Sequence, residues 1–130
     1  MEYEIHKTFL EDTVLVVDDD LQSRNLLYRF LRLIGFRQIV ALESGEDAIN
    51  YLLSHTADLV LLDYRLPGMS GLVALRQMKQ LQPTLPIIMI TAYPTHEAML
   101  KALQEGACDL IVKPLDLRNL EKQILRGLAA

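Results

Sequence analysis

Four short apolar runs in this chain each end on a reactive side chain. Asp18, Asp19 and Asp20 follow Thr13–Val17. Asp63 follows Leu59, Val60, Leu61 and Leu62, and Pro67 and Gly68 then turn the chain. Thr91 and Lys113 each follow a later run. An isolated threonine or lysine at such a place means little, and an aspartate there can simply form a turn or cap a helix. Carboxylates, a hydroxyl and an amine on one rim would be different. They offer negative ligands, a hydrogen-bond donor and a positive charge to a single ligand.

Whether they share a rim depends on the elements that carry them. Thr13–Val17 is β-branched and apolar and predicts a strand. Further strands are predicted over Gln38–Leu42, 58–62, 86–90 and 108–112. The run before Asp63 is apolar throughout and bounded by turn residues, which suits a strand buried on both faces of a parallel sheet.

Between the strands, apolar residues recur at helical spacing. The predicted inward sets are Leu26, Leu27, Phe30, Leu31 and Ile34; Ala48, Ile49, Leu52 and Leu53; and Leu72, Leu75, Met78 and Leu81. Two more follow: Ala98, Met99, Ala102 and Leu103, then Leu117, Leu120, Ile124 and Leu128. Asp20, Ser44 (with Asp47), Ser70 and Asp116 suit helix starts, and Pro94 suits a first helical turn. Gly35, Pro83 and Gly106 suit helix ends. Strands alternating with helices imply a parallel sheet with right-handed crossovers and helices on both faces. Ligands of open parallel sheets bind outside the carboxyl ends of the strands. Asp18, Asp19, Asp63, Thr91 and Lys113 all fall there.

The 130 residues fit one domain, 13–130, behind a leader, 1–12, that has no clear period. A hydrophobic content of 51% fits a globular core. The net charge of −4 argues against direct nucleic-acid binding by this domain. No apolar run approaches the roughly 20 residues of a membrane span. Glu2, Glu4, His6 and Lys7 make the start unlike a secretory signal. A single cysteine, Cys108, excludes an internal disulfide and fits a reducing cytoplasm. It reads as a core filler at a strand start. His6, His55 and His96 lack metal-ligand spacing and read as surface residues.

The acidic pair Asp18–Asp19, the Asp-Tyr-Arg-Leu-Pro-Gly stretch from Asp63, Thr91–Ala92 and Lys113–Pro114 together resemble the receiver domain of bacterial two-component response regulators. The match runs from about Thr13 to Leu128. The resemblance implies a flavodoxin-like, doubly wound five-stranded sheet in the order 2-1-3-4-5. It implies a signalling domain, not an enzyme acting on a separate substrate. A sensor histidine kinase or phosphotransfer protein would pass a phosphoryl group to Asp63, giving a 4-aspartylphosphate that is slowly lost again. A carboxylate is a usable covalent nucleophile for phosphorus, and such transfer is mostly positioning and charge stabilisation. Mg²⁺ would relieve the repulsion among the acids. Asp19 and Asp63 would ligate it directly, Asp18 largely through water, and the Arg65 backbone carbonyl would add a ligand. Thr91, the Ala92 N–H and Lys113 would contact the phosphoryl oxygens. The fourth helix, fifth strand and last helix would form the output face, and also a homodimer face. The output would be an effector domain beyond this chain or a separate partner, the chain being either a single-domain regulator or the receiver of a longer protein.

There are departures from the family pattern. Leu110 stands where many receivers have an aromatic residue, three before the lysine, and Leu66 stands where methionine is frequent. Arg65 and Tyr93 occupy variable positions flanking Asp63 and are expected to control water entry. Other readings fit less well. No Gly-x-Gly-x-x-Gly follows the first strand, as a dinucleotide site needs. A haloacid-dehalogenase-like phosphatase needs a second acid where Arg65 stands. A receiver used purely as a binding module would not need the whole set of site residues.

Overall fold

The computed structural model describes residues 11–92 and 94–129. Most of the expected leader, His6 and Tyr93 therefore lie outside the described residues. The strands are β1 (Thr13–Val17), β2 (Gln38–Leu42), β3 (Leu59–Asp63), β4 (Ile87–Thr91) and β5 (Asp109–Val112). The helices are α1 (Leu21–Ile34), α2 (Gly45–Ser54), α3 (Gly71–Leu81), α4 (His96–Gln104) and α5 (Leu117–Ala129). All the strand pairings are parallel, in the order β2-β1-β3-β4-β5. The chain order reverses beside β1 and β3, so the topological switch point lies where Asp18 and Asp63 emerge.

Strand alternation builds a core on each side of the sheet. On one side Val14, Val16, Leu59, Leu61, Ile88, Ile90 and Ile111 pack against Leu27, Phe30, Leu31 and Ile34 of α1 and Leu120 and Ile124 of α5. On the other, Leu15, Val17, Val60, Leu62, Ile87 and Met89 pack against buried residues of α2, α3 and α4. β3 and β4 are buried along their whole length, as their unbroken apolar sequences require.

The helix starts follow their caps. Asp20, Ser44 and Ser70 each accept a backbone N–H from three residues on. The Asp116 carboxylate accepts from Arg118 and Asn119 at the start of α5. Gly35 ends α1 at φ 116, a left-handed conformation that a side chain would strain.

Several expectations need correcting. Leu26, Leu53, Leu81 and Leu103 are exposed, not inward. Leu26, Leu53 and Leu103 lie next to buried Leu27, Leu52 and Ala102, and Leu81 lies at the end of α3 beyond buried Met78, so the sheet covers a narrower stripe than the apolar sequence offers. Pro94 does not open α4. Thr95 is the cap, its side chain accepting from Ala98 N–H, and the helix begins at His96. Cys108 is exposed, not a core filler, and precedes β5. β3, β4 and β5 each begin one residue later than expected. Ladder bonds at Asp58, Pro86 and Cys108 show that only the assignment boundary differs.

Candidate functional site

The alternation that builds the core also aims the site. Asp18 continues the parity of Val14 and Val16, Asp63 that of Leu59 and Leu61, and Lys113 that of Ile111. These side chains meet. Lys113 Nζ lies 3.2 Å from Asp18 Oδ2 and 3.2 Å from Asp63 Oδ2. β5 and β3 are separated by β4, a span of roughly 10 Å at the usual strand spacing. A lysine stem crosses that distance where a short side chain could not. Thr91 has the parity of Ile87 and Met89 and closes β4 beside Asp63 in a buried position. Its carbonyl accepts Lys113 N–H at 2.8 Å, and the Lys113–Pro114 peptide bond is cis.

The acidic loop is held from several sides. Asp18 N–H donates to the Leu42 carbonyl at 3.1 Å. Asp18 Oδ1 accepts Asp20 N–H at 2.9 Å, and Arg24 Nη1 donates to the Asp18 carbonyl at 2.8 Å. Asp63 Oδ1 accepts Arg65 N–H at 3.2 Å. Asp18 and Asp63 are buried, while Asp19, Arg65 and Ala92 are exposed around them. Among the described residues, Asp18, Asp19 and Asp63 form a group that could hold a metal, each offering a carboxylate oxygen within 4.8 Å of the others. One ammonium thus faces three carboxylates. Hard oxygen donors so placed suit Mg²⁺.

The electrostatics reflect that imbalance. Burial first, and the Asp18 charge second, push the Asp63 carboxyl from 3.8 up to about 6, against the opposing pull of Lys113 and Arg65 N–H. Burial alone would push the Lys113 ammonium down, but the Asp18 and Asp63 charges outweigh it and raise it.

A pH dependence follows. The folded state holds the Asp63 proton more tightly than the unfolded chain does. Stability is therefore greatest below the unfolded value and falls as pH rises from about 4 to about 6. The loss should be about 2 kcal/mol, discounting the full shift for partial solvent screening. Urea unfolding without divalent cations should show Asp63→Asn gaining on the native chain over that range. A difference independent of pH would contradict this.

Two residues at the site carried no sequence expectation. Arg24 is one. The other is Gly71, whose N–H donates to the Tyr64 carbonyl at 3.0 Å, directly behind Asp63. Leu110, in the position of the expected aromatic, packs half-buried against the α2–α4 side of the core.

Known proteins match this architecture over nearly the whole chain. The family model for the response regulator receiver domain matches residues 14–125. The transcriptional regulatory protein ZraR of Escherichia coli is 38% identical over 116 residues, 89% of this chain and 26% of its own length. The DNA-binding transcriptional regulator NtrC of the same species is 42% identical over 89% of this chain and 24% of its own length. This chain thus spans about a quarter of those relatives. A putative response regulator from Chloroflexus aurantiacus superposes with a TM-score of 0.86 at 31% identity, covering 92% of this chain and 98% of that one. A CheY-like receiver domain protein from Methanospirillum hungatei gives 0.86 at 27% identity, over 91% and 94%. With its sheet order, its strand-end acids and these matches, the chain belongs to the response regulator receiver domains, the signalling domains of two-component systems.

Proposed function

We propose that Asp63 is the phosphoryl acceptor of this receiver and that Asp18, Asp19 and Asp63 hold Mg²⁺ beside it, with the Arg65 carbonyl as a further ligand. The observation that carries this reading is the shared grip of Lys113 on Asp18 and Asp63 at the switch point of the sheet. An Asp63 oxygen attacks phosphorus, the bond from phosphorus to the donor histidine nitrogen breaks, and that nitrogen takes up a proton. Burial and the Asp18 charge raise the metal-free Asp63 carboxyl to about 6, so it is still largely ionised at neutral pH. Lys113 then moves its charge to a phosphoryl oxygen. The Thr91 hydroxyl and Ala92 N–H donate to another. Mg²⁺, when bound, neutralises charge on the transferring group. Arg65, exposed beside Asp63, screens the bond from water.

The donor is a histidine kinase or phosphotransfer protein, and the responder is an effector outside this chain. The relatives' names include transcriptional regulators and a cyclic di-GMP phosphodiesterase, so one receiver type serves different outputs. The signal leaves through α4, β5 and α5, because Thr91 and Lys113 terminate the strands that feed that side; two copies of the domain pair through the same face. A charge-assisted bond made in one state biases α4 between two packings. Leu110 reports that motion less than an aromatic would.

Intact-mass measurement after acetyl phosphate and Mg²⁺ should show one added phosphoryl group. No adduct would refute phosphoryl acceptance.

A second expectation concerns the metal. Ligand at ~100 times Kd stabilises the native state by about 2.7 kcal/mol, or roughly 10 °C in Tm for a domain of this size. Asp19→Ala should abolish most of that Mg²⁺ shift. An unchanged shift would exclude Asp19 as a direct ligand.

A further inference from the structure

We infer that Arg24 is a positioning residue for the metal-binding acids: its guanidinium holds the peptide between Asp18 and Asp19 and so sets where Asp19 stands relative to Asp18. The inference rests on the Mg²⁺ reading above.

Arg24 lies in the first turn of α1 with its side chain only 12% exposed. A cation there opposes the helix macrodipole, so helix stability does not account for it. Its neighbours do. Nη1 donates to the Asp18 carbonyl at 2.8 Å, while Nη2 lies 3.6 Å from Glu43 Oε1 in the β2–α2 loop. Glu43 is 73% exposed, and an ion pair that long and that wet contributes little. The short, sheltered bond to the carbonyl is the stronger contact.

That carbonyl belongs to the peptide joining Asp18 to Asp19. Holding it restrains ψ at Asp18 and φ at Asp19, the torsions that set where Asp19 stands relative to Asp18. Asp18 N–H is fixed separately by the Leu42 carbonyl. Asp20 N–H and Lys113 hold the Asp18 carboxylate, and Arg24 holds the carbonyl that leads to Asp19. The Arg24 backbone N–H, bonded to the Asp20 carbonyl at 2.9 Å, ties the same loop to the helix start. A planar fork reaches the carbonyl and Glu43 together, whereas a lysine ammonium keeps a donor for the carbonyl but loses the reach to Glu43. Groups that orient metal ligands from behind typically cost 10–100-fold in metal affinity when removed.

The test is Mg²⁺ titration by calorimetry on the native chain, Arg24→Ala, Arg24→Lys, Glu43→Gln and Asp19→Ala, with melting in EDTA to confirm folding. Arg24→Ala should weaken Mg²⁺ by about 10-fold, Arg24→Lys by less because its ammonium can still donate to the Asp18 carbonyl, and Glu43→Gln by less than about 3-fold. In acetyl phosphate labelling, the Mg²⁺ concentration for half-maximal rate should rise in the Arg24 variants, while the rate at saturating Mg²⁺ recovers. A fold defect would not produce that split. Native-like Mg²⁺ affinity in folded Arg24→Ala would overturn the inference. So would a loss in Glu43→Gln as large as in Arg24→Ala, which would place the effect in the ion pair. No Mg²⁺ binding by the native chain would instead refute the metal site itself.

Discussion

Asp63→Asn should take up no phosphoryl group from acetyl phosphate and Mg²⁺, yet should fold and, without divalent cations, outlast the native chain in urea above pH 6. The two effects have one origin. The native carboxylate is buried beside Asp18 with only part of its charge compensated by Lys113, so ionisation costs stability. The same partly compensated carboxylate is the proposed nucleophile. An amide of equal size keeps the packing, removes the buried charge and has no oxygen basic enough to attack phosphorus. Intact mass and urea midpoints report the two effects separately. Labelling of Asp63→Asn at the native level would refute Asp63 as acceptor. A lower urea midpoint than the native chain at pH 7 would show that Asp63 stabilises the metal-free fold.

Gly71→Ala should cost the domain about 3 kcal/mol or more. Helix propensity alone points the other way, since alanine gains roughly 1 kcal/mol over glycine in a helix interior. Sterics decide. A Cβ at Gly71 would overlap the Asp63 carbonyl oxygen and come within 2.8 Å of both the Cα and the carbonyl oxygen of Tyr64. These are backbone atoms of a buried strand end and cannot swing aside. The α3 start must back away, losing the Gly71 N–H bond to Tyr64 and disturbing the buried core of α3. Urea unfolding of Gly71→Ala tests this; a loss below about 1 kcal/mol would show that α3 can be displaced cheaply.

The contrast between these positions explains what could be read from the sequence. Asp63 was legible because an unbroken apolar strand ends on it and a Pro-Gly turn follows. The meeting of Asp18, Asp63 and Lys113 was legible in outline, because strands that alternate between two cores deliver residues of one parity to one face. Gly71 was not, because its constraint is the approach of a helix start to a strand end that is distant in space until the chain folds. Arg24 was hidden for the same reason: its partner is a backbone carbonyl, which has no sequence signature. Leu26, Leu53, Leu81 and Leu103 look like core residues, but only tertiary packing decides how wide a stripe the sheet covers. Thr95 displaced Pro94 at the start of α4 because its hydroxyl oxygen can accept the Ala98 N–H, whereas a proline ring has no acceptor to offer.

Borohydride reduction of the phosphorylated chain, followed by peptide mapping, tests the central claim most directly. Hydride cleaves an acyl phosphate and leaves the former aspartate as homoserine. Homoserine at position 63 alone, absent without Mg²⁺ or acetyl phosphate, is the expected result. Homoserine at position 18, 19 or any other aspartate, with Asp63 intact, would contradict it.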